Sequence, residues 1–406
     1  MPWAFLQDVR GGTPVHHRLR GLLVALEVAL TTALLIGAGL MLRSVHRLRT
    51  VDPGFQADSV LMATLTLPEA KYPEPGARIA FLQRLQERVA AMPGVTSAAT
   101  SDTPPLGGST WTTSCTVEGR DAQKWHLSSA HHVTPTYFRT LGIRLLQGRD
   151  LAPGAADEVV VSQAFARSQF PEGAALGRRL SLDGSQGHTW QRVVGVAADV
   201  RQEGLAATPS PELYFPVTYL YADRRASASF SLLLRTVPPP LTIVPALKAA
   251  LREVDPDLPL GSLRPMTALL EQNRQEARGR GALLAAFAAL ALFLAGVGLY
   301  AVVNGLTALR LREIGLRMAL GAQVRDILFL VVGQGLRMAL GGVVAGLLGA
   351  LALGRILQAS LQGVPFWDPA TLIAVLLLLL LVLLAACYLP ALRAARVEPG
   401  TALRED

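Results

Sequence analysis

Cysteine is almost missing from this 406-residue chain, which has only two, Cys115 and Cys387. One lies in a polar region and the other inside an apolar run, so they cannot readily meet, and a disulfide framework is not expected. Lysine is nearly as scarce. Lys71, Lys124 and Lys248 follow Ala70, Gln123 and Leu247, so the Gly-Lys-Ser/Thr that holds phosphates and magnesium in a P-loop does not occur. Any ATP use must come from a partner chain. A Gly-x-Ser-x-Gly elbow is absent, as is Cys/His zinc spacing, and no enzyme activity, metal or cofactor of the chain's own is expected. His126, His131 and His132 come nearest to a metal cluster, but adjacent histidines point apart on a strand and no acid sits among them, so they read as a solvated surface patch. Asp102, Asp199 and Glu203 show no partner and read as ordinary loop residues. The net charge of +8 lacks a basic cluster interleaved with aromatics, which argues against nucleic acid and for membrane lipid headgroups.

What the chain has is four long apolar stretches, split one and three. They run from Leu22 to Leu42, Ala282 to Asn304, Ile327 to Leu353 and Thr371 to Leu389, with a polar insert from Arg43 to Gly281 between the first two. Roughly 20 residues cross a hydrocarbon core of roughly 30 Å, and only a helix satisfies its own backbone there. The first stretch is too long and too uniformly apolar for a cleaved signal peptide and reads as an anchor. With 51% hydrophobic and still 17% charged residues, the expected fold class is a membrane protein. It has four transmembrane α-helices, one plus three, and a large α+β extracytoplasmic domain of two subdomains between helices 1 and 2.

Basic residues in short segments beside spans set orientation. Arg10, Arg18 and Arg20 precede the first span, Arg310, Arg312, Arg317 and Arg325 lie between the second and third, and Arg393, Arg396 and Arg404 follow the fourth, whereas residues 354–370 hold only Arg355. Segments 1–21, 305–326 and 390–406 are therefore expected on the cytoplasmic side of the membrane, with 43–281 and 354–370 outside. Arg43, Arg47 and Arg49 run against this count, but long translocated domains largely escape the rule.

The insert opens as strand, helix, strand over Val60 to Leu67, Ala77 to Ala91 and Val95 to Thr100. Ile79, Leu82, Leu85 and Val89 form the helix's core stripe, and Pro93-Gly94 ends it. The pattern returns with Ser229 to Arg235 extended, Thr242 to Val254 helical and Leu258 to Leu263 extended. Two such units (about 58–104 and 228–265) would make one α+β layer, with about 105–225 as an inserted strand-rich subdomain whose clearest strands are Glu158 to Val161 and Val193 to Val196.

Arg310, Glu313 and Arg317 occupy one face of an amphipathic helix, opposite Leu311, Ile314 and Met318, with Glu313 four residues before Arg317 in the favourable order. This helix belongs to the run Arg312-Glu313-Ile314-Gly315-Leu316-Arg317-Met318-Ala319-Leu320-Gly321-Ala322. Together with Val51-Asp52-Pro53-Gly54-Phe55, the tail Tyr388-Leu389-Pro390-Ala391 with Arg393-Ala394-Ala395-Arg396-Val397-Glu398-Pro399 and then Ala402-Leu403-Arg404, and the one-plus-three layout, it resembles the MacB/FtsX-type permeases of ABC transporters over nearly the whole chain. The chain looks closest to variants that fuse two such units but has a single one, so a natural half, a split product and a fragment all stay open.

The resemblance implies a permease subunit that couples a separate cytoplasmic ABC ATPase, which would hold the ATP and magnesium, to motion of the outer domain. It implies that Arg312, Glu313, Gly315, Arg317 and Gly321 form the element docking on that ATPase. It also implies pairing of two permease units, as a homodimer or with a second permease chain, an extracytoplasmic adaptor, and export of a small molecule, peptide or lipid-linked substrate. A signalling scaffold like the cell-division branch, or an inactive half of a duplicated permease, is the alternative. Within the spans, Glu27 and Arg337 read as structural pairing groups, and Asn304 and Gln334, with Thr31 and Thr32, as helix-to-helix hydrogen-bonding groups.

Overall fold

The computed structural model describes residues 14–48, 50–107, 111–118, 126–171, 173–182, 190–205, 207–220, 229–309, 311–320, 323–356 and 367–395. Along the chain, α1 (Pro14–Leu48) precedes β1 (Val60–Thr66), α2 (Pro75–Ala90) and β2 (Val95–Ser101). A strand-rich stretch follows, with β3 (Trp111–Val117), β4 (His126–Val133), α3 (Tyr137–Leu141), β5 (Leu145–Gly148), β6 (Glu158–Ser162) and α4 (Gln163–Gln169). It ends with β7 (Arg179–Ser181), β8 (Gln191–Ala197), β9 (Glu212–Pro216) and α5 (Val217–Leu220). Next come β10 (Ser229–Thr236), a 3-10 turn (Pro240–Ile243), α6 (Val244–Val254) and β11 (Leu260–Pro265). The remainder is helical, with α7 (Met266–Leu309), α8 (Leu311–Ala319), α9 (Val324–Ile356) and α10 (Pro369–Ala395). The chain divides into two units, residues 48–276 and residues 1–47 with 277–406.

In the first of these, β11, β1, β10 and β2 lie side by side as an antiparallel layer. The opening and closing portions of the insert thus share one sheet. Helices α2 and α6 cover it, setting Phe81, Leu82, Leu85, Val89, Leu247 and Leu251 against Leu61, Leu65, Leu232 and Leu234. Burying each such side chain contributes about 1.5–3 kcal/mol, which makes this the layer's main source of stability. The strands β4, β3, β7, β8, β6 and β9 then follow in order, and β9 pairs back onto β4 in parallel, so this part closes into a ring. β5 lies off this ring, paired antiparallel with β8. Cys115, Val159, Val161, Leu180, Val193, Leu213 and Phe215 fill its core. Among the described residues, the strands of layer and ring pair at Ser101 opposite Val133.

That junction corrects two expectations. His131 and His132 are buried, not a solvated patch. Asp102 is not partnerless, since its carboxylate accepts from the His132 backbone N–H at 2.9 Å and pairs with His132 Nδ1 at 2.7 Å. His131 Nδ1 lies 2.7 Å from Thr103 Oγ1, whose hydroxyl reaches Asp102. Adjacent histidines do point apart on β4, but both sides of the strand are covered here: the rings of Trp111 and Tyr219 stack on His132, and Tyr214 lies against His131. Asp199 is also engaged, accepting from the Ala164 N–H at the start of α4 at 2.7 Å. The His126 side chain lies outside the described residues.

In the helical unit, α1, α7, α9 and α10 each contain a segment long and apolar enough to cross a membrane. The helices outrun the apolar stretches, most of all α7, which begins at Met266 and not near Ala282 because Thr267 to Arg280 is helix-favouring although polar. At 1.5 Å per residue its 44 residues extend about 66 Å, about twice the hydrocarbon core. Val28, Ile36, Leu299, Val303, Val331, Ala339, Leu379 and Cys387 form the shared core. Leu283, Phe287, Phe293, Leu377 and Leu381 stand exposed, as lipid-facing side chains do.

Candidate functional site

Nine residues make α8, too few to persist alone in water. It is held by Ile314, buried in the helical unit's core, and by Met318 packed beside it. Behind Ile314 a void of about 20 Å³ is bounded by Val303, Thr307, Val331 and Gln334 among others, room for about one water. On the opposite face, the Arg317 Nη2 donates to Glu313 Oε1 at 2.6 Å. Both side chains are exposed, so the pair contributes only about 0.3–0.5 kcal/mol. Leu316 and Leu320, 54% and 81% exposed, flank it. This side therefore presents two exposed leucines, Leu316 on α8 and Leu320 in the turn after it, beside a weakly bound ion pair. The i, i+4 spacing of the leucines is legible in the sequence. Gly315 lies mid-helix in α8, while the Arg312 side chain and Gly321 lie outside the described residues.

The polar groups of the spans sit in different surroundings. Glu27 on α1 rests against Gly298 of α7, where any added side chain would collide with its carboxylate. Arg337 and Asn304 face outward, and Gln334 is half-buried beside the void. Thr31 Oγ1 donates across helices to the Ala291 carbonyl at 3.2 Å, whereas Thr32 donates to Val28 of its own helix. Close approach comes instead from Gly342 and Gly346 of α9, where a Cβ would run into the α1 backbone at Ala25 and Ala29. The small-xxx-small spacing of this pair is legible in the sequence. Arg43, awkward for the charge count, is neutralised by Asp368, which also caps α10 by accepting from the Thr371 N–H at 2.9 Å.

The family motif after the first span has a clear local reason. Asp52 accepts from the Gly54 N–H at 2.9 Å, and Gly54 takes a φ of +83°. A Cβ there would collide with the Asp199 carbonyl, and Arg201 N–H bonds Pro53. Phe55 is buried beyond the turn.

In the junction of the other unit, burial pushes the Glu212 carboxyl up to about 8, against a hydrogen bond from Tyr214. Burial pushes His131 down to about 4. Burial would raise Asp102, but the hydrogen bonds and charge of His132 outweigh it and hold Asp102 below the usual carboxylate range. Among the described residues no group of three or more His, Cys, Asp or Glu could hold a metal.

Spans, inserted domain and short exposed helix together define a multi-pass membrane protein of permease type. Residues 28–254 match the MacB-like periplasmic core domain and residues 285–399 the FtsX-like permease C-terminal domain. The chain belongs to the MacB/FtsX-type permease family of ABC transporters. It is 29% identical over 282 residues, 66% of this chain and 41% of the relative, to a macrolide export ATP-binding/permease protein MacB 1/2 of Paracoccus denitrificans. It is 32% identical over 142 residues to the pyoverdine export ATP-binding/permease protein PvdT of Pseudomonas syringae pv. tomato, covering 34% and 21%. The periplasmic region of MacB from Actinobacillus actinomycetemcomitans aligns with a TM-score of 0.37 at 14% identity, over 54% of this chain and 94% of that one. The chain spans less than half the length of these curated relatives.

Proposed function

We propose that these 406 residues act as the permease unit of an inner-membrane exporter that works by mechanotransmission. An ABC ATPase supplied from outside them binds ATP and magnesium and docks on α8, and its closure moves the insert outside the membrane against substrate or an adaptor. Both termini and α8 lie in the cytoplasm, and two permease units pair across the bilayer. The observation that carries the reading is the outer face of α8 and the turn after it, where Leu316 and Leu320 stand exposed around the Glu313–Arg317 pair. Support also comes from α7, one uninterrupted helix leading from the insert into the helical unit. The relatives' names concern macrolide and pyoverdine export, in favour of a small-molecule substrate; peptides and lipid-linked molecules are open to the same mechanism.

Affinity purification of the intact chain from its native membrane in mild detergent, with an ATPase assay and mass spectrometry, tests this. A P-loop ATPase should co-purify, and Leu316→Asp should weaken its binding by more than about tenfold if this leucine is an interface anchor. Glu313→Ala with Arg317→Ala should lower coupled activity while leaving membrane insertion intact. Recovery of no ATPase, with the chain's own oligomer preserved, would sink the proposal in favour of the scaffold reading.

A further inference from the structure

On the lipid-facing side of the helical unit, α7 and α10 leave a groove of about 430 Å³ between them. Its floor is Gly296, Ala385 and Ala386, and Phe293, Val297 and Leu389 stand up as exposed rims. From Ala289 to Tyr300 it is about 16 Å long at 1.5 Å per residue, close to half of the roughly 30 Å hydrocarbon core. One end is charged. Arg393 Nη1 donates to the Tyr300 hydroxyl at 2.6 Å, with the guanidinium 6.0 Å from the ring centre. Tyr300 is itself part of the groove wall. Among the described residues no carboxylate pairs with Arg393, so its charge is held at the groove's end by a neutral phenol with most of its donors unspent.

We propose that the groove holds one acyl chain of an anionic phospholipid whose phosphate is bound by Arg393. The length fits a single leaflet, the floor and rims are wholly apolar, and a guanidinium recognises a phosphate through paired hydrogen bonds at the depth where a headgroup begins. A helix from a second copy would fill the apolar part, but the described carboxylates in and beside the spans at this end are already engaged, Glu313 with Arg317, Asp326 with the Gln323 N–H and Glu27 against Gly298. Charge complementarity therefore favours the lipid.

The test reconstitutes the full chain in phosphatidylcholine nanodiscs doped with phosphatidylglycerol carrying a diazirine midway along one acyl chain, and maps adducts after irradiation. Label should concentrate on residues 289–300 and 382–389. Arg393→Gln should lower phosphatidylglycerol adducts there about fivefold, Arg393→Lys should restore part of the loss, and a matched phosphatidylcholine probe should respond little. Ala385→Leu, which fills the floor, should lower labelling by both probes. Adducts spread evenly over the outer faces of all four spans, or equal labelling by the two lipids unmoved by Arg393→Gln, would overturn the proposal. So would an unlabelled groove whose Val297→Cys variant cross-links to a second copy. The map on the unaltered chain decides the matter even where a variant fails to fold.

Discussion

Glu212 shows how a single buried acid contributes to the pH response of the extramembrane unit. Its carboxyl sits near 8 in the fold against an ordinary 4.5, so the folded state holds a proton that the unfolded state gives up. The stability this contributes is full below about 4.5 and is lost as pH climbs through about 8. Unfolding of the purified chain, followed by fluorescence, should shift to lower temperature between pH 6 and pH 9, by about 2–4 °C for each kcal/mol lost. Glu212→Gln, which keeps shape without titrating, should flatten that slope, and an unchanged slope would show that another group carries it. Gly54 is a second residue whose chemistry is decided locally. Gly54→Ala forces an L side chain into a left-handed conformation, costing about 1–2 kcal/mol, and sets its Cβ on the Asp199 carbonyl. The expected result is a transition lowered by several degrees with membrane insertion intact.

At the scale of elements, the two faces of α8 can be separated by experiment. Ile314→Ala removes the buried anchor at a cost of about 2–4 kcal/mol. A nine-residue helix cannot absorb that loss, so amide exchange over Leu311–Ala319 should accelerate. Leu316→Ala touches only the outer face and should leave exchange unchanged while weakening a docked partner. Accelerated exchange in both variants would mean that Leu316 also supports the helix. The packing of α9 on α1 makes a similar claim about backbone proximity: Gly346→Leu should push the helices apart at a cost of about 1–3 kcal/mol or more, read as a lower unfolding temperature in detergent. These elements differ in how far the sequence announces them. The spans were legible because a bilayer demands long apolar runs, and α2 because Leu82, Leu85 and Val89 keep helical spacing. The ring was not, since β7 has three residues and the closure of β4 on β9 joins positions more than eighty residues apart. The junction was missed for the same reason: Asp102 and His132 lie thirty residues apart, and nothing local marks either as buried.

For the whole molecule, the proposed mechanism places its heaviest demand on α7. If ATPase closure at α8 is to reach the insert, the path through residues 266–309 must stay stiff, and a helix about 66 Å long is stiff only while its hydrogen-bond ladder is unbroken. Gly279 is the place to break it, because it lies inside α7 with open space around it, so a substitution there disturbs no packing. Gly279→Pro removes one hydrogen bond and crowds the preceding turn, a cost of about 3 kcal/mol or more that kinks the helix without exposing either core. ATPase recovery and basal hydrolysis should then be unchanged, since α8 is untouched. What should vanish is the nucleotide-dependent change in distance between spin labels placed on Val237, an exposed residue of the insert, in two paired copies. A distance change that survives the kink would refute transmission through α7 and leave the ATPase docking reading standing, because the two claims rest on different residues.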